Sequence, residues 1–305
     1  MSLSTRRNYW FAFNMNSTTI QCEELAEKLS LVDSKNLKIL YTTMAKGPIS
    51  KPTPPNIACS EYIPDSLFFD FESDFVDHNA SLSNMMPNRE VFQASARNLG
   101  LNIDDEIVVY DDLDNFCASR AWFMLLSMGF ENVRTLDGGL KAWNASSFDT
   151  HSNLSQVSSP SNVRLNPSSY FSFVNADYLV DKLSSNSSQR KVYQIIDARS
   201  PGRFAGSEAE PRENMRSGHI PTSVNIYYAS LLEAACFKSK ESLRAMFNEN
   251  NIQLDNEIIT SCGSGITACI IAQAAYSLGA SCIRVYDGSW SEWGASQSFP
   301  VEVSQ

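Results

Sequence analysis

One stretch of the sequence decides the fold. It reads Ile258-Ile259-Thr260-Ser261-Cys262-Gly263-Ser264-Gly265-Ile266-Thr267-Ala268. A short apolar run ends in a cysteine, a glycine-rich turn follows, and an apolar-periodic segment continues from Ile266 to Leu278, where Gly279 closes it. This succession of patterns predicts a strand, a tight loop and a helix.

The predicted loop has the features of an anion site. A tight loop points several backbone N–H groups inward, and the helix behind it adds the positive end of its dipole. We therefore expect Cys262 to be an acidified thiol that acts as a thiolate nucleophile, with an inert buried thiol as the alternative. Gly263 and Gly265 allow the backbone to turn without Cβ clashes. Thr267 is expected to cap the helix or to close the loop.

Length, composition and charge narrow the possible functions. The chain has 305 residues, of which 43% are hydrophobic, and this favours two domains over one. A net charge of −10 with no basic stripe excludes nucleic acid as a partner. No apolar run approaches the roughly 20 residues that span a bilayer, so no membrane partner is expected.

The N-terminal sequence bears on location. No secretory signal peptide is visible, so we expect an intracellular, cytoplasmic protein. Arg6 and Arg7 precede the first acidic residue, Glu23, and this pattern leaves mitochondrial targeting as the alternative.

The cysteines do not indicate a structural framework. There are seven, an odd number, and none forms a CxxC pair. This opposes both a disulfide scaffold and a zinc site, so we predict neither a metal nor a cofactor. Most of the other cysteines are expected to be small buried hydrophobic residues, and Cys262 is the exception.

The chain repeats itself. Three segments in the first half resemble three in the second, at offsets of 154, 151 and 150 residues, and a near-constant offset indicates duplicated domains. The pairs are Ile20–Leu29 with Val174–Leu183, Asp104–Asp111 with Asp255–Cys262, and Asp137–Trp143 with Asp287–Trp293. Asp111 takes the place of Cys262, so the first copy is expected to be non-catalytic.

The predicted fold class is α/β. Helices alternate with β-rich runs in each copy, which predicts mainly parallel sheets with helices on both faces and ligands at the carboxyl ends of strands. The strand candidates of the second copy are Tyr193–Asp197, Ser223–Ile226, Glu257–Ser261 and Ile283–Tyr286. The predicted layout is a flexible tail at 1–19, a non-catalytic domain at 20–147, a Ser/Asn/Pro-rich linker at 148–169 and a catalytic domain at 170–305.

Four pieces of the second half together resemble the tandem-rhodanese sulfurtransferases. They are Ile196-Asp197-Ala198-Arg199, Gly218-His219-Ile220-Pro221, Cys262 to Ala268, and Asp287-Gly288-Ser289-Trp290-Ser291-Glu292-Trp293. The resemblance extends more weakly over the first half, and it implies two tandem rhodanese-like domains.

The resemblance also implies a substrate. Basic residues after the cysteine suit thiosulfate, whereas the neutral Gly263-Ser264-Gly265 is similar to the branch that uses 3-mercaptopyruvate. That branch has two arginines at the spacing of Arg203 and Arg212, which hold the carboxylate and carbonyl of the substrate. A guanidinium group suits a carboxylate because it offers two parallel hydrogen bonds. Exposed loop charges are the alternative for both arginines.

A mechanism follows from the resemblance. The Cys262 thiolate takes sulfur from 3-mercaptopyruvate and becomes a persulfide, pyruvate leaves, and a thioredoxin-like protein, a small thiol or cyanide accepts the sulfur. Ser264 is expected to help to pass a proton. Substrate binding is assigned to the loop residues Gly263, Gly265, Ile266 and Thr267.

The family's first domain adds an aspartate and a histidine. Glu72 and Asn84 stand where these are expected and are predicted to contact the substrate. An amide cannot act as a base near neutral pH, so a histidine relay is not expected here.

Three other functions are weighed. Thiosulfate sulfurtransferase activity is the closest alternative, and a catalytically weak interaction protein is the second. Cysteine phosphatases carry an arginine six residues after the cysteine, and Ala268 in that position excludes them.

Overall fold

The computed structural model describes residues 17–31, 36–44, 61–184 and 193–304. Most of the predicted N-terminal tail therefore lies outside the described residues. Within them, no helix combines the length and the apolar character that crossing a membrane requires.

The first half is a five-stranded parallel sheet with helices around it. The strand order is β1-β5-β4-β2-β3, and every pairing is parallel. The strands are β1 (Thr19–Ile20), β2 (Leu37–Tyr41), β3 (Ser66–Phe68), β4 (Glu106–Tyr110) and β5 (Val133–Leu136). The helices are α1 (Cys22–Ser30), α2 (Arg89–Asn98), α3 (Ala118–Ser127) and α4 (Gly139–Ala145).

The second half repeats this arrangement. Its parallel sheet has the order β6-β12-β11-β7-β8, which matches the first sheet strand for strand and confirms the fold class. The strands are β6 (Phe171–Val174), β7 (Tyr193–Asp197), β8 (Val224–Asn225), β11 (Glu257–Ser261) and β12 (Ile283–Tyr286), with a separate hairpin of β9 (Leu232–Glu233) and β10 (Cys236–Phe237). The helices are α5 (Ala176–Ser184), α6 (Pro201–Ala205), α7 (Lys240–Glu249), α8 (Ala268–Ser277) and α9 (Ser289–Trp293), and a 3₁₀ turn spans Tyr228–Leu231.

The segment predicted as a linker lies against the first half. His151 pairs with Tyr62 in an isolated β-bridge. Val163 and Leu165 are buried in the core, although the residues around them are polar. The segment is therefore packed rather than free, and the domain limits themselves stay predictions.

The two halves share one core. Residues of α3 and α8 belong to a single cluster of buried side chains, and the ring of Trp122 packs edge-on against Tyr276 at 5.4 Å. The ring of Phe123 packs in the same way against Phe173 at 5.2 Å. Because large apolar surfaces of both halves are buried against each other, we expect the halves to unfold together.

A buried amide joins the halves by hydrogen bonds. Gln273 of α8 donates to Thr18 O at 3.0 Å and Thr135 Oγ1 at 2.8 Å, and it accepts from Ser119 Oγ at 2.7 Å. All of its partners belong to buried residues of the first half. Removing the amide would take this partner from the buried hydroxyls of Ser119 and Thr135, while Thr18 O would keep its bond from the Thr135 amide.

We therefore predict that Gln273→Ala lowers the free energy of unfolding by about 3 kcal/mol, because stranded buried polar groups keep their desolvation penalty. Urea unfolding at neutral pH measures this. The matched control is Gln253→Ala, whose exposed side chain makes a change within about 0.5 kcal/mol the expectation. Equal effects of the two substitutions would contradict the role of the buried amide.

Candidate active site

Cys262 follows the central strand of the second sheet, where the sequence places it. β11 ends at Ser261, and Cys262 is buried with 2% of its surface exposed. Its amide donates to Ser289 Oγ at 3.1 Å, and its carbonyl accepts from the Trp290 amide at 3.0 Å. The beginning of α9 therefore fixes the backbone of the cysteine.

The loop that follows leaves space for glycine alone at one position. Gly265 has a φ of +73°, and a Cβ there would lie 2.6 Å from the carbonyl oxygen of Asp287. Gly263 is tied down differently, because its carbonyl accepts from the amide and the hydroxyl of Ser291 at 2.9 and 2.5 Å. The turn predicted around these glycines is thus present.

Thr267 does not cap the helix through its side chain. It stands at the N-cap position of α8, which begins at Ala268, two residues later than the apolar pattern indicates. Its φ of −69° and ψ of −16° are already helical, and its hydroxyl makes no capping hydrogen bond. Capping by an oxygen side chain needs an extended backbone at this position.

The first copy shows which ligand such a loop holds. The residue after β4 is Asp111, which is 1% exposed and occupies the position of the cysteine. Its Oδ1 accepts from the amides of Leu113 and Asn115 at 3.1 and 2.9 Å. Its Oδ2 accepts from the amides of Cys117 and Ala118 at 2.6 and 2.8 Å. Four backbone N–H groups therefore surround one buried carboxylate.

The duplication predicts a similar arrangement in the second copy, although the N–H of Cys269, which corresponds to that of Ala118, donates to Ile266 O at 3.0 Å. At the offset of 151 residues, positions 113, 115 and 117 correspond to Ser264, Ile266 and Ala268. The side chain of Ile266 is 2% exposed and packs in the core, so only its backbone faces the site. We call these three residues with Cys262 the cradle, and we expect their N–H groups to face the sulfur.

Two arginines reach over the cradle. A Cβ placed on Gly263 would lie 3.2 Å from Arg203 Nη2 and 3.8 Å from Arg212 Nη1, so both guanidinium groups are close to this glycine. Arg212 Nη1 also donates to Ser291 Oγ at 2.8 Å. The structure therefore brings both sequence-predicted arginines to the residue next to Cys262.

Glu210 neutralises part of this positive charge. Its carboxylate is 2% exposed and pairs with Arg203 Nη2 at 2.5 Å and with Arg199 Nη1 at 2.6 Å. Arg199 also pairs with Asp197 at 2.6 Å, and its guanidinium lies 4.1 Å from the ring centre of Trp290. Among the described residues, Arg212 forms no ion pair, so its charge is open to a ligand.

A cavity of about 110 Å³ lies beside the cradle and has walls from both halves. The second half contributes Ser264, Arg212 and Ser291, and the first half contributes residues of the 82–85 segment. The described wall includes neither Glu72 nor Asn84. A small polar molecule entering here meets Ser264 of the cradle and the guanidinium of Arg212 together.

Asn84 and Glu72 have other contacts. Asn84 has a φ of +63°, a conformation that asparagine tolerates, and its carbonyl accepts from Arg120 Nη2 at 2.6 Å. The amide of Glu72 donates to Asp70 at 2.9 Å. Burial raises the pKa of Cys117, and the carboxylates of Asp111, Asp112 and Glu72 add to this, so Glu72 lies near the loop of the first copy. Substrate contacts of Glu72 and Asn84 stay predictions.

Comparison with known proteins places these features in a family. The rhodanese-like domain model matches the chain twice, at residues 60–146 and 176–296. The chain belongs to the rhodanese family. It has two rhodanese-like domains in tandem, as the sequence resemblance implies, and it is a sulfurtransferase of that family.

Individual relatives of this rhodanese cover most of its length. Thiosulfate/3-mercaptopyruvate sulfurtransferase 1, mitochondrial, of Arabidopsis thaliana is 38% identical over 79% of this chain and 67% of that protein. Thiosulfate sulfurtransferase of Rattus norvegicus is 36% identical over 80% of this chain and 81% of that protein. The crystal structure of SseA, a 3-mercaptopyruvate sulfotransferase from Escherichia coli, is similar with a TM-score of 0.74 and 31% identity, covering 91% of this chain and 100% of that chain.

Sequence reasoning missed five residues that shape the site of this rhodanese. These are Arg120, Glu210, Asp287, Ser289 and Ser291. A usable signal existed for three of them, because Asp287, Ser289 and Ser291 lie in the repeated Asp287–Trp293 motif. Arg120 also stands out as a single charge within the apolar stretch of α3.

The buried carboxylate of the first rhodanese domain should make stability depend on pH. Burial raises the pKa of Asp111 to about 6, although its backbone N–H partners oppose the rise. Between pH 4 and 6 the unfolded chain therefore releases a proton that the folded chain retains, and stability falls as pH rises. We predict that the free energy of unfolding of the wild type, relative to Asp111→Asn, decreases by about 3 kcal/mol over this range and is constant above it.

Urea unfolding at pH 4, 5, 6 and 7 measures the difference. Asp114→Asn, which removes an exposed carboxylate from the same loop, is the control and should give no such slope. If the free energy of unfolding of the wild type relative to Asp111→Asn rose with pH instead, the N–H groups of the loop would favour the carboxylate anion more strongly than burial opposes it.

Proposed function

We propose that this rhodanese transfers sulfane sulfur from 3-mercaptopyruvate, through a Cys262 persulfide, to a thiol or cyanide acceptor and releases pyruvate. One observation carries the choice of donor. Two guanidinium groups, those of Arg203 and Arg212, lie over Gly263, directly after the nucleophile. A monocarboxylate donor that binds there has its sulfur beside Cys262.

The charge of the site supports this donor. Arg203 shares its charge with Glu210, whereas Arg212 bonds only to the neutral hydroxyl of Ser291 among the described contacts. The open charge is thus close to that of one cation, which matches the single carboxylate of 3-mercaptopyruvate. Thiosulfate is a dianion, and the loop Gly263-Ser264-Gly265 offers no side-chain cation for its second charge.

The sulfur moves in two steps that balance. The Cys262 thiolate attacks the thiol sulfur of 3-mercaptopyruvate, an S–S bond forms, and the C–S bond breaks with its electron pair going to the carbon. The leaving enolate of pyruvate takes up the proton that the thiol releases. The acceptor thiolate or cyanide then attacks the outer sulfur and restores the Cys262 thiolate.

The cradle supports both anions of this cycle. Its N–H groups are in place before the reaction, so they can stabilise the thiolate and the persulfide without reorganising. The Asp111 carboxylate in the first domain accepts from four backbone N–H groups of the equivalent loop, and this supports the proposal that the cradle aims its N–H groups at one anionic atom. Ser264 has a hydroxyl at the cavity wall, and we assign to it the transfer of the thiol proton to the enolate.

The acceptor and the location are part of the proposal. A small thiol or a thioredoxin-like protein fits an opening that both domains line. The proposed location is the cytoplasm, with the mitochondrion as the alternative because one relative carries that location in its name.

Thiosulfate is the second candidate donor. It is favoured by the similarity to a rat protein named thiosulfate sulfurtransferase, at 36% identity. The two donors share the persulfide and differ in the fragment that leaves, which is pyruvate in one case and sulfite in the other.

The test is turnover of both donors with cyanide, with pyruvate and thiocyanate measured separately. We predict that 3-mercaptopyruvate has the higher kcat/KM, and that Cys262→Ser abolishes the release of both products. Mass spectrometry of the donor-treated wild type should show one added sulfur atom on the Cys262 peptide. Faster turnover of thiosulfate would overturn the choice of donor, and no turnover of either would favour a non-catalytic interaction protein.

Glu210 should set the preference between donors. We predict that Glu210→Gln raises the ratio of kcat/KM for thiosulfate to that for 3-mercaptopyruvate about tenfold, because an additional open positive charge favours the dianion. Glu208→Gln is the matched control, since it removes the same charge from an exposed position in the same loop. An equal ratio in the two variants would show that the charge of Glu210 does not select the donor.

A further inference from the structure

A buried arginine of the non-catalytic domain reaches the catalytic loop. Arg120 of α3 has a fully buried side chain, and its Nη1 donates to Gly265 O at 3.1 Å and to Asp287 Oδ1 at 2.7 Å. Its Nη2 donates to Asn84 O at 2.6 Å. One guanidinium therefore connects the loop after Cys262, the carboxylate before α9 and the segment beside the cavity.

The bond to Gly265 sets the direction of a cradle N–H group. The carbonyl of Gly265 and the amide N–H of Ile266 belong to one trans peptide, so they point in opposite directions. Since Arg120 holds the carbonyl on the side of the first domain, the N–H of Ile266 points to the other side. In the first copy the equivalent N–H, that of Asn115, donates to the buried carboxylate.

The charge of Arg120 is also within reach of the sulfur. Burial acts to lower the pKa of Arg120, but Asp287 and the thiols of Cys269 and Cys262, when ionised, raise it above its ordinary value. The guanidinium lies 4.3 Å from the ring centre of Phe173, so it is charged in an apolar environment. Its field acts on Cys262 with little screening by water.

Asp287 opposes this field. Its side chain is 6% exposed, and its second oxygen accepts from the amide of Met86 at 2.6 Å. Among the described residues, the charged and titratable groups around Cys262 are thus Arg120 and Asp287 on the side of the first domain, Arg203 and Arg212 above Gly263, and Cys269 on α8.

We propose that Arg120 is a positioning residue of the active site, by which the non-catalytic domain orients the cradle N–H groups and stabilises the anionic sulfur of Cys262. The proposal rests on the proposed function only in taking Cys262 as the nucleophile. It gives the first domain a part in the reaction although that domain has Asp111 in place of a cysteine.

Alkylation of Cys262 tests the proposal without a sulfur donor. The rate of reaction with iodoacetamide is followed at the Cys262 peptide by mass spectrometry from pH 5 to 10. We expect Arg120→Met to move the pH midpoint of alkylation up by about one unit and Asp287→Asn to move it down, because the two variants remove opposite charges. Arg120→Lys retains the charge but loses the planar fork, so its midpoint should lie between those of the wild type and Arg120→Met.

The control is Arg97→Met. Arg97 belongs to the first domain and donates to the carbonyl of Val163, which is not part of the catalytic loop. The midpoint of this variant should equal that of the wild type. A purely structural role of the ion pair predicts shifts in the same direction for Arg120→Met and Asp287→Asn, and that result, or shifts no larger than the control, would overturn the proposal. If Arg120→Met does not fold, Arg120→Lys and Asp287→Asn provide the same comparison of directions.

The two proposals fail independently. Shifts of opposite direction in a protein that turns over no 3-mercaptopyruvate would sustain the role of Arg120 and reject the donor. Turnover of 3-mercaptopyruvate with unmoved alkylation midpoints would reject Arg120 alone.

Discussion

Backbone N–H groups that point at one buried position are the constraint on which the first domain depends, and the repeat predicts the same constraint in the second domain. Such a group has no conformational freedom of its own, so every element around the loop must fix its peptide planes. In the second domain this role falls to the positive φ of Gly265, to the bonds from α9 to Cys262 and Gly263, and to Arg120. In the first domain the same geometry encloses the carboxylate of Asp111.

The three arginines of the site differ in how far their charges are paired with carboxylates. Arg199 is fully paired with Asp197 and Glu210 and lies against Trp290, so it supports the structure. Arg203 shares Glu210, and Arg212 touches only a hydroxyl among the described contacts. The charge available to a ligand thus increases toward the cavity. This explains how a loop without basic residues can still attract an anion.

The parts of the structure that could be predicted from sequence are those that neighbouring residues in the chain determine. Strands β7, β11 and β12 match their predicted bounds residue for residue, because buried parallel strands appear as continuous apolar runs. Strand β6 escaped prediction because it lies at a sheet edge and none of its residues is fully buried. The position of Cys262 after β11 and the turn at its glycines were predictable for the same local reason.

The rest of the site depends on contacts between distant residues. Arg120 and Asp287 are 167 positions apart, and Met86 and Asp287 are 201 apart. No pattern within one element shows that these groups meet, since the meeting depends on how the two sheets are placed. Thr267 shows that a local prediction can also fail. Its residue type suits a helix cap, but its backbone angles are helical and its hydroxyl makes no capping hydrogen bond.

The occupied loop of the first domain has a consequence for stoichiometry. A carboxylate that is part of the chain cannot be exchanged, so Asp111 keeps that loop filled at all times. With Cys262 as the proposed carrier, two homologous domains therefore provide a single sulfur-carrying position in each chain. The duplicated domains therefore differ in role. The second contains Cys262, whereas the first contains Asp111 at the equivalent position and contributes part of the cavity wall.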